Sequence, residues 1–378
     1  MAGDLRATRA TSRMHFIDAC RGFSMAFVCL SHFRLFYFAD GRSPQVSNLI
    51  FHMVLPSTPT FMLISSVLVG VLSRELGERW PSLRDKLIDR GLFLLVPGHL
   101  LVRLGHWFII RSAPPGSHWL LITDTIGVCL VAGTLSIGRL RRNTRLMAGA
   151  AIVALSWFAY LRWAPHGGYA LLFKDYLIGE HQSAATGVVF PILPWLGYYL
   201  VGISLGEYIS RWRQRYGRAA PHLLGLGLAS MFAGVLLHGS GRVLHSSAWH
   251  ALVSAGQKFP PGPGFLLFSS GCALLMVALL EGLEMRGYLT RLIGTFATLG
   301  RNSLVVFIVQ FFVYYWGLHL FPLPYTPLWP LIFLGSLAFN LGIAWAWERY
   351  FGNRYLTVGF PWRRQAQAQV TAVDSRKA

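Results

Sequence analysis

The sequence predicts an all-α fold, a polytopic membrane bundle of about ten transmembrane helices with both termini in the cytoplasm. Three observations predict it. The 378 residues are 54% hydrophobic and 14% aromatic, too apolar for a soluble domain of that length. Apolar runs fall at about residues 16–38, 49–72, 88–110, 118–138, 146–163, 187–208, 221–239, 263–283, 297–318 and 328–348, each near the ~20 residues that cross a bilayer. The connections between them alternate in charge. One set carries most of the 34 Lys and Arg, and the other holds only Arg34, Arg42, Arg111, Arg162, Lys174, Arg242 and Lys258. The positive-inside rule puts the rich set in the cytoplasm. A net charge of +19 would suit nucleic acid if the bases shared one face, but they punctuate apolar runs, so no nucleic-acid partner is expected.

The domain plan follows from the spans. Residues 1–15 form a cytoplasmic segment, 16–350 the membrane domain and 351–378 a cytoplasmic tail. The tail has almost no apolar content from about 365 onward and is expected to be disordered. The first run is long, interrupted by charge and without an Ala-x-Ala-like exit, so it reads as a span and not a signal peptide. Cys20, Cys29, Cys129 and Cys272 all lie within spans, with no metal spacing or disulfide framework, and read as small core residues. No metal site is expected.

The first span, "FIDACRGFSMAFVCLSHF", carries an acid, a base and an imidazole. Arg21 and His32 are eleven residues apart, which places them about 20° out of phase and about 16 Å apart along one helical stripe. Asp18 precedes Arg21 by three residues and can pair with it, but lies too far from His32 to orient it. Charged groups inside a bilayer cost about 2.5 to 3.5 kcal/mol each and mark function. His32 is therefore the candidate catalytic base in the outer half, and Arg21 the candidate cation at the inner mouth; the alternatives are an interfacial histidine and a snorkelling inner-end anchor.

Later spans supply partners. His52 opens the second span and reads as an interfacial histidine. Arg103 and His106 stand at i and i+3 in the outer half of the third, and Asp124 lies just inside the fourth. Asp124 is the carboxylate expected to orient His32, with Arg103 or a backbone donor at the oxyanion; a salt bridge between Asp124 and Arg103 that ties neighbouring helices together fits the sequence equally well. The connection at 164–186 is the longest on the outer side. "FPILPWLGYYLVGISLG" (190–206) brings Gly202 and Gly206 four apart, a helix-packing face that also permits a homodimer. The ninth span opens with "TLGRNS", in which Gly300, Arg301, Asn302 and Ser303 at a helix start suit a phosphate. Gln310 lies deeper on that span and needs a partner of its own.

The spans "IDACRGFSMAFVCLSHF", "NLIFHMVLPSTPTFMLISSVLVG", "LIDRGLFLLVPGHLLVR", "LLITDTIGVCLVAGTL", "FPILPWLGYYLVGISLG", "KFPPGPGFLLFSSGCALL" and "LGRNSLVVFIVQ" together resemble, in order, the integral-membrane acyltransferase superfamily. The nearest branch is that of the heparan-α-glucosaminide N-acetyltransferase catalytic domain. One departure is Gln310, which stands where the family often has a histidine. The resemblance implies an enzyme that moves an acyl group, acetyl in the usual case, from cytoplasmic acyl-CoA to a hydroxyl or amine of a glycan or other small acceptor. In that reading His32 is the general base, Asp124 and Arg103 assist it, and Arg21, Arg301, Asn302 and Ser303 hold the CoA. Arg-heavy, Lys-poor usage points to a bacterial inner membrane. The alternative is a proton-coupled transporter of small or lipid-linked substrates, using the same buried polar residues.

Overall fold

A computed structural model describes residues 14–107, 118–165, 167–179, 181–182, 186–243, 247–351, 356 and 358. Most of the amino-terminal segment, Arg111, parts of the 164–186 connection and the tail from 359, including the stretch expected to be disordered, lie outside the described residues. The described chain is nearly all helix. In order, α1 is His15–Tyr37, α2 Pro44–Val54, α3 Ser57–Glu75, α4 Trp80–Phe93, α5 His99–Gly105, α6 Ile122–Ser136, α7 Arg142–Arg162 and α8 Gly168–Leu177. Then come α9 Ile192–Tyr216, α10 Ala220–Val243, α11 Ser247–Val253, α12 Pro263–Met285, α13 Thr290–Arg301, α14 Ser303–Phe311 and α15 Trp329–Ala346.

Six helical stretches among the described residues are long and apolar enough to cross a membrane: Pro44–Glu75, Arg142–Arg162, Ala220–Gly241, Pro263–Met285, Ser303–Leu320 and Trp329–Phe351. On α10 and α15, Leu224, Phe232, Leu236, Leu331, Leu334 and Phe339 are exposed. Apolar faces of that extent are solvated by lipid and not by water. This is an integral membrane protein.

The remaining apolar runs are helical but carry the polar residues or breaks that the site uses. The run 88–110 is split by Pro97, which lacks an N–H and cannot continue an α-ladder; the chain passes it in a π turn over Leu94–Gly98. The run 297–318, expected as one span, breaks at Asn302 between α13 and α14. The run 118–138 does not start as helix. Strand β1 (His118–Leu120) pairs in parallel with β3 (Thr186–Val188), and β2 (His181–Gln182) pairs antiparallel with β3. The helix begins only where the Asp124 carboxylate accepts the Leu121 N–H at 2.7 Å, satisfying one of the orphan donors of its first turn.

Helix α1 runs through both hydrophobic clusters of the core. Its first half packs with α13, α3 and α12, and its second half with α2, α14 and α15. Its amino end is capped from α12, where Glu284 Oε2 accepts the Phe16 N–H at 2.8 Å. Two crossings are set by glycine. A Cβ on Gly22 would strike the Phe296 carbonyl, and one on Gly300 would strike the Asp18 carbonyl. Gly300, expected to cradle a phosphate, is the contact point of α13 on α1. Gly202 and Gly206 likewise meet Ser66 and the Val67 carbonyl of α3, so the small-residue face expected on α9 is covered within the chain. Replacing Gly300 with alanine is expected to force the crossing apart and cost about 1 to 3 kcal/mol, read as a lowered midpoint of thermal unfolding in detergent.

Ion pairs tie the remaining helices. Arg145, beside the basic run Arg139, Arg141 and Arg142, is buried on α7 and donates to Glu207 on α9. Arg213 meets Glu281 at 3.3 Å. Past α15 the Val358 N–H donates to the buried Asp89 on α4 at 3.0 Å, so the chain beyond 351 returns to the bundle at this point.

Candidate active site

Residues 21, 25, 28, 32 and 35 of α1 fall at the three- and four-residue intervals of one helical stripe. Met25, Val28, His32 and Leu35 of that stripe line a cavity of about 490 Å³. Its other walls come from α2 and α3 (Phe51, Val54, Ser57, Phe61), α5 (Val102) with His106 just beyond it, β1 and the start of α6 (Trp119 to Ile122), the approach to α9 (Val189, Phe190), the loop before α12 (Lys258, Phe259) and α14 (Phe307, Phe311). The loops that close it all lie at the end of the bundle where α1 finishes.

His32 is fixed from α14. Its Nδ1 lies 3.0 Å from Gln310 Oε1, and with the amide so oriented the oxygen can only accept. The ring proton therefore sits on Nδ1 and the lone pair on Nε2. The ring is held between aromatic neighbours, with centroids 5.1 Å from Phe311 and 5.4 Å from Tyr315. His106 approaches the same two rings from α5, at 4.5 and 4.7 Å. Its Nδ1 donates to the Val102 carbonyl at 2.8 Å, so its Nε2 also carries a lone pair. Two imidazoles, each with Nδ1 engaged, thus share one aromatic pair on the cavity wall.

Asp124 does not orient His32. It accepts from His99 Nδ1, with both carboxylate oxygens at 2.9 Å, besides capping its own helix. His99 is the first residue of α5 after the π turn, so the chain's passage around Pro97 decides which imidazole meets the acid. Arg103 stands beside the cavity-lining Val102 but is not itself among the lining residues. His52 is exposed on α2 and lies outside the cavity.

At the other end of α1, Arg21 Nη2 donates to Ser303 Oγ at 2.7 Å and Nη1 lies 4.0 Å from Asp18. Its guanidinium sits over the Phe61 ring at 5.9 Å. Phe61 also lines the cavity, so this ring touches both the Arg21 cluster and the His32 chamber. Arg301 is already satisfied by a carboxylate, since Nε and Nη2 donate to the two oxygens of Glu348 at 2.8 and 3.0 Å. Asn302 Nδ2 donates to the same Glu348 at 3.0 Å. Of the four residues expected to hold CoA, Arg21 and Ser303 are brought together, whereas Arg301 and Asn302 are bound to an acid.

Three participants were not read from the sequence as site residues. In the sequence Gln310 reads only as a polar residue needing a partner and Lys258 only as an outer-connection cation, and His99 is not singled out. Lys258 lies in the loop before α12, with Nζ 5.1 Å from the Phe259 ring centroid. Burial, with the nearby Arg34 charge adding to it, lowers its ammonium to about 8. The four cysteines are free, and among the described residues no group of three His, Cys, Asp or Glu side chains is placed to hold a metal.

No curated protein matches the chain. Residues 13–237 match the family model described as heparan-alpha-glucosaminide N-acetyltransferase, catalytic, a stretch from just before α1 into α10 that is more than half of the chain. The chain belongs to this family of membrane acetyltransferases.

Proposed function

We propose that the protein transfers an acyl group, acetyl in the usual case, from acyl-CoA to a hydroxyl or amine of a glycan or other small acceptor. The observation that carries this reading is His32, whose Nδ1–H is held by Gln310 while Nε2 keeps its lone pair on the wall of the 490 Å³ cavity. His32 Nε2 takes the proton of the acceptor as its oxygen or nitrogen attacks the thioester carbonyl, and returns it to the departing CoA thiolate. Gln310 Oε1 keeps the ring in place and receives the Nδ1–H of the transient imidazolium. Asp124 acts at one remove, by fixing His99 and the start of α6.

The donor residues fit in part. Arg21 with Ser303 offers a guanidinium and a hydroxyl suited to a phosphate, while Glu348 neutralises Arg301. In this reading the N-terminus of α1 is cytoplasmic, the chain makes ten crossings of a bacterial inner membrane, donor enters from the Arg21 end and acceptor from the end nearest Arg34. The distribution of Lys and Arg between connections supports that orientation.

The test is transfer of label from radiolabelled acetyl-CoA, by purified protein in detergent, to a panel of neutral, basic and acidic sugars. Labelled sugar that depends on His32 is the expected result; absence of both acetyl-CoA binding and transfer overturns the enzyme class. Label trapped on protein without acceptor would replace direct attack with a covalent acyl-enzyme route.

A further inference from the structure

Among the described residues, the chamber that holds His32 is lined by two cations, Arg34 at the end of α1 and Lys258 in the loop before α12, and by no Asp or Glu. Arg34 Nη1 donates to Ser47 Oγ at 3.0 Å and its guanidinium lies over Phe51 at 5.1 Å. Its Nε is buried with no acceptor among the described residues. Lys258 makes a ring contact with Phe259. Neither is in an ion pair among the described residues, although Arg145, Arg213 and Arg301 all are.

Two like charges in a partly apolar chamber repel, and each loses hydration. The cost is visible in Lys258, whose ammonium is held well below the ordinary lysine range. Such a pair gains most from an anion that lies between them, because charge-assisted hydrogen bonds then replace both the lost water and the missing counter-ion. The position is selective, since an anion at Arg34 and Lys258 shares the cavity with His32 and His106.

We propose that Arg34 and Lys258 dock an anionic group, a carboxylate or phosphate, carried by the acyl acceptor, which is therefore an acidic sugar or similar small acid. This rests on the proposed transfer through His32, and it is tested by a readout that does not require transfer. Lys258 is modified by reductive methylation with formaldehyde and quantified by mass spectrometry, with Lys86 and Lys174 as internal controls. Glucuronate and glucose 6-phosphate are expected to slow modification of Lys258 alone, and glucose is not. Arg34→Gln is expected to weaken that protection about 10- to 100-fold, the worth of one hydrogen bond to a charged group.

Protection should also fade as the pH rises through about 8, where Lys258 gives up its proton. The other charged and titratable groups among the described residues on this cavity are Arg34, His32, His106 and Tyr315. Arg34 keeps its charge over that range, and imidazole and phenol groups are ordinarily uncharged near pH 8. Equal protection by neutral glucose, or none by either acid, overturns the proposal. Protection by CoA alone, with no effect of glucuronate, overturns it in a different way, by assigning the pair to the donor's phosphates. If glucuronate protects Lys258 yet no sugar is acetylated, the docking site stands and the acyl-transfer reading falls.

Discussion

Replacing His32 with alanine is expected to lower acyl transfer by about 10²- to 10⁴-fold, the span that one positioned proton acceptor supplies. Binding of acetyl-CoA should change far less, because Arg21, the proposed donor-side cation, lies about three turns away on the same helix, with its partner Ser303 on α14. Gln310 provides the companion experiment. Gln310→Leu removes the acceptor for His32 Nδ1–H, so the ring loses its fixed tautomer and orientation; kcat should fall while KM for the acceptor stays near the wild-type value. Gln310→Glu puts a carboxylate against Nδ1, favours the imidazolium, and is expected to move the acidic limb of the rate profile to higher pH. A His32→Ala variant with undiminished transfer would remove His32 from the chemistry. A Gln310→Leu variant with unchanged kcat would remove the amide from its positioning role.

The α1 stripe was legible because its signal is internal to one helix. Spacing alone puts Arg21 and His32 on one face, and the wall contributed by Met25, Val28, His32 and Leu35 has that spacing. The partners of those residues depend on where neighbouring helices break, which periodicity does not encode. The π turn around Pro97 brings His99, and not His32, to Asp124. The break at Asn302 starts α14 where Ser303 meets Arg21, and places Gln310 beside His32.

The glycines show the same limit in another form. Gly300 in "LGRNS" suits a phosphate or a helix crossing equally well on sequence grounds, and only the approach of the Asp18 carbonyl decides for the crossing. Gly202 and Gly206 were legible as a packing face but not as one covered by α3. Arg145 counted as a loop cation because it lies near a cluster of arginines, yet Glu207, sixty-two residues on, draws it into the core. Lys258 reads in the sequence as one more outer cation, and only the folded cavity, where no described lining residue is an acid, sets it apart.

Asp124→Ala is expected to act on stability before it acts on chemistry. The carboxylate is buried and serves two donors at once, the Leu121 N–H at 2.7 Å and His99 Nδ1 at 2.9 Å. Removing it leaves a helix start without its cap and a half-buried imidazole without its acceptor. Caps contribute about 0.5 to 2 kcal/mol, and leaving a buried partner of a charged hydrogen bond unsatisfied costs about 1 to 3 kcal/mol more. A total near 3 kcal/mol is expected, measured as loss of the folded fraction in a denaturant or thermal series in detergent. Asp124→Asn keeps an oxygen for the cap and should recover about half of the loss. If Asp124 instead acted on His32, the asparagine variant would retain stability but shift the pH–rate profile as a Gln310 substitution does. With His99 as its partner, Asp124→Asn is expected to leave the pH dependence of transfer unchanged, and that profile separates a residue that builds the chamber from one that works inside it.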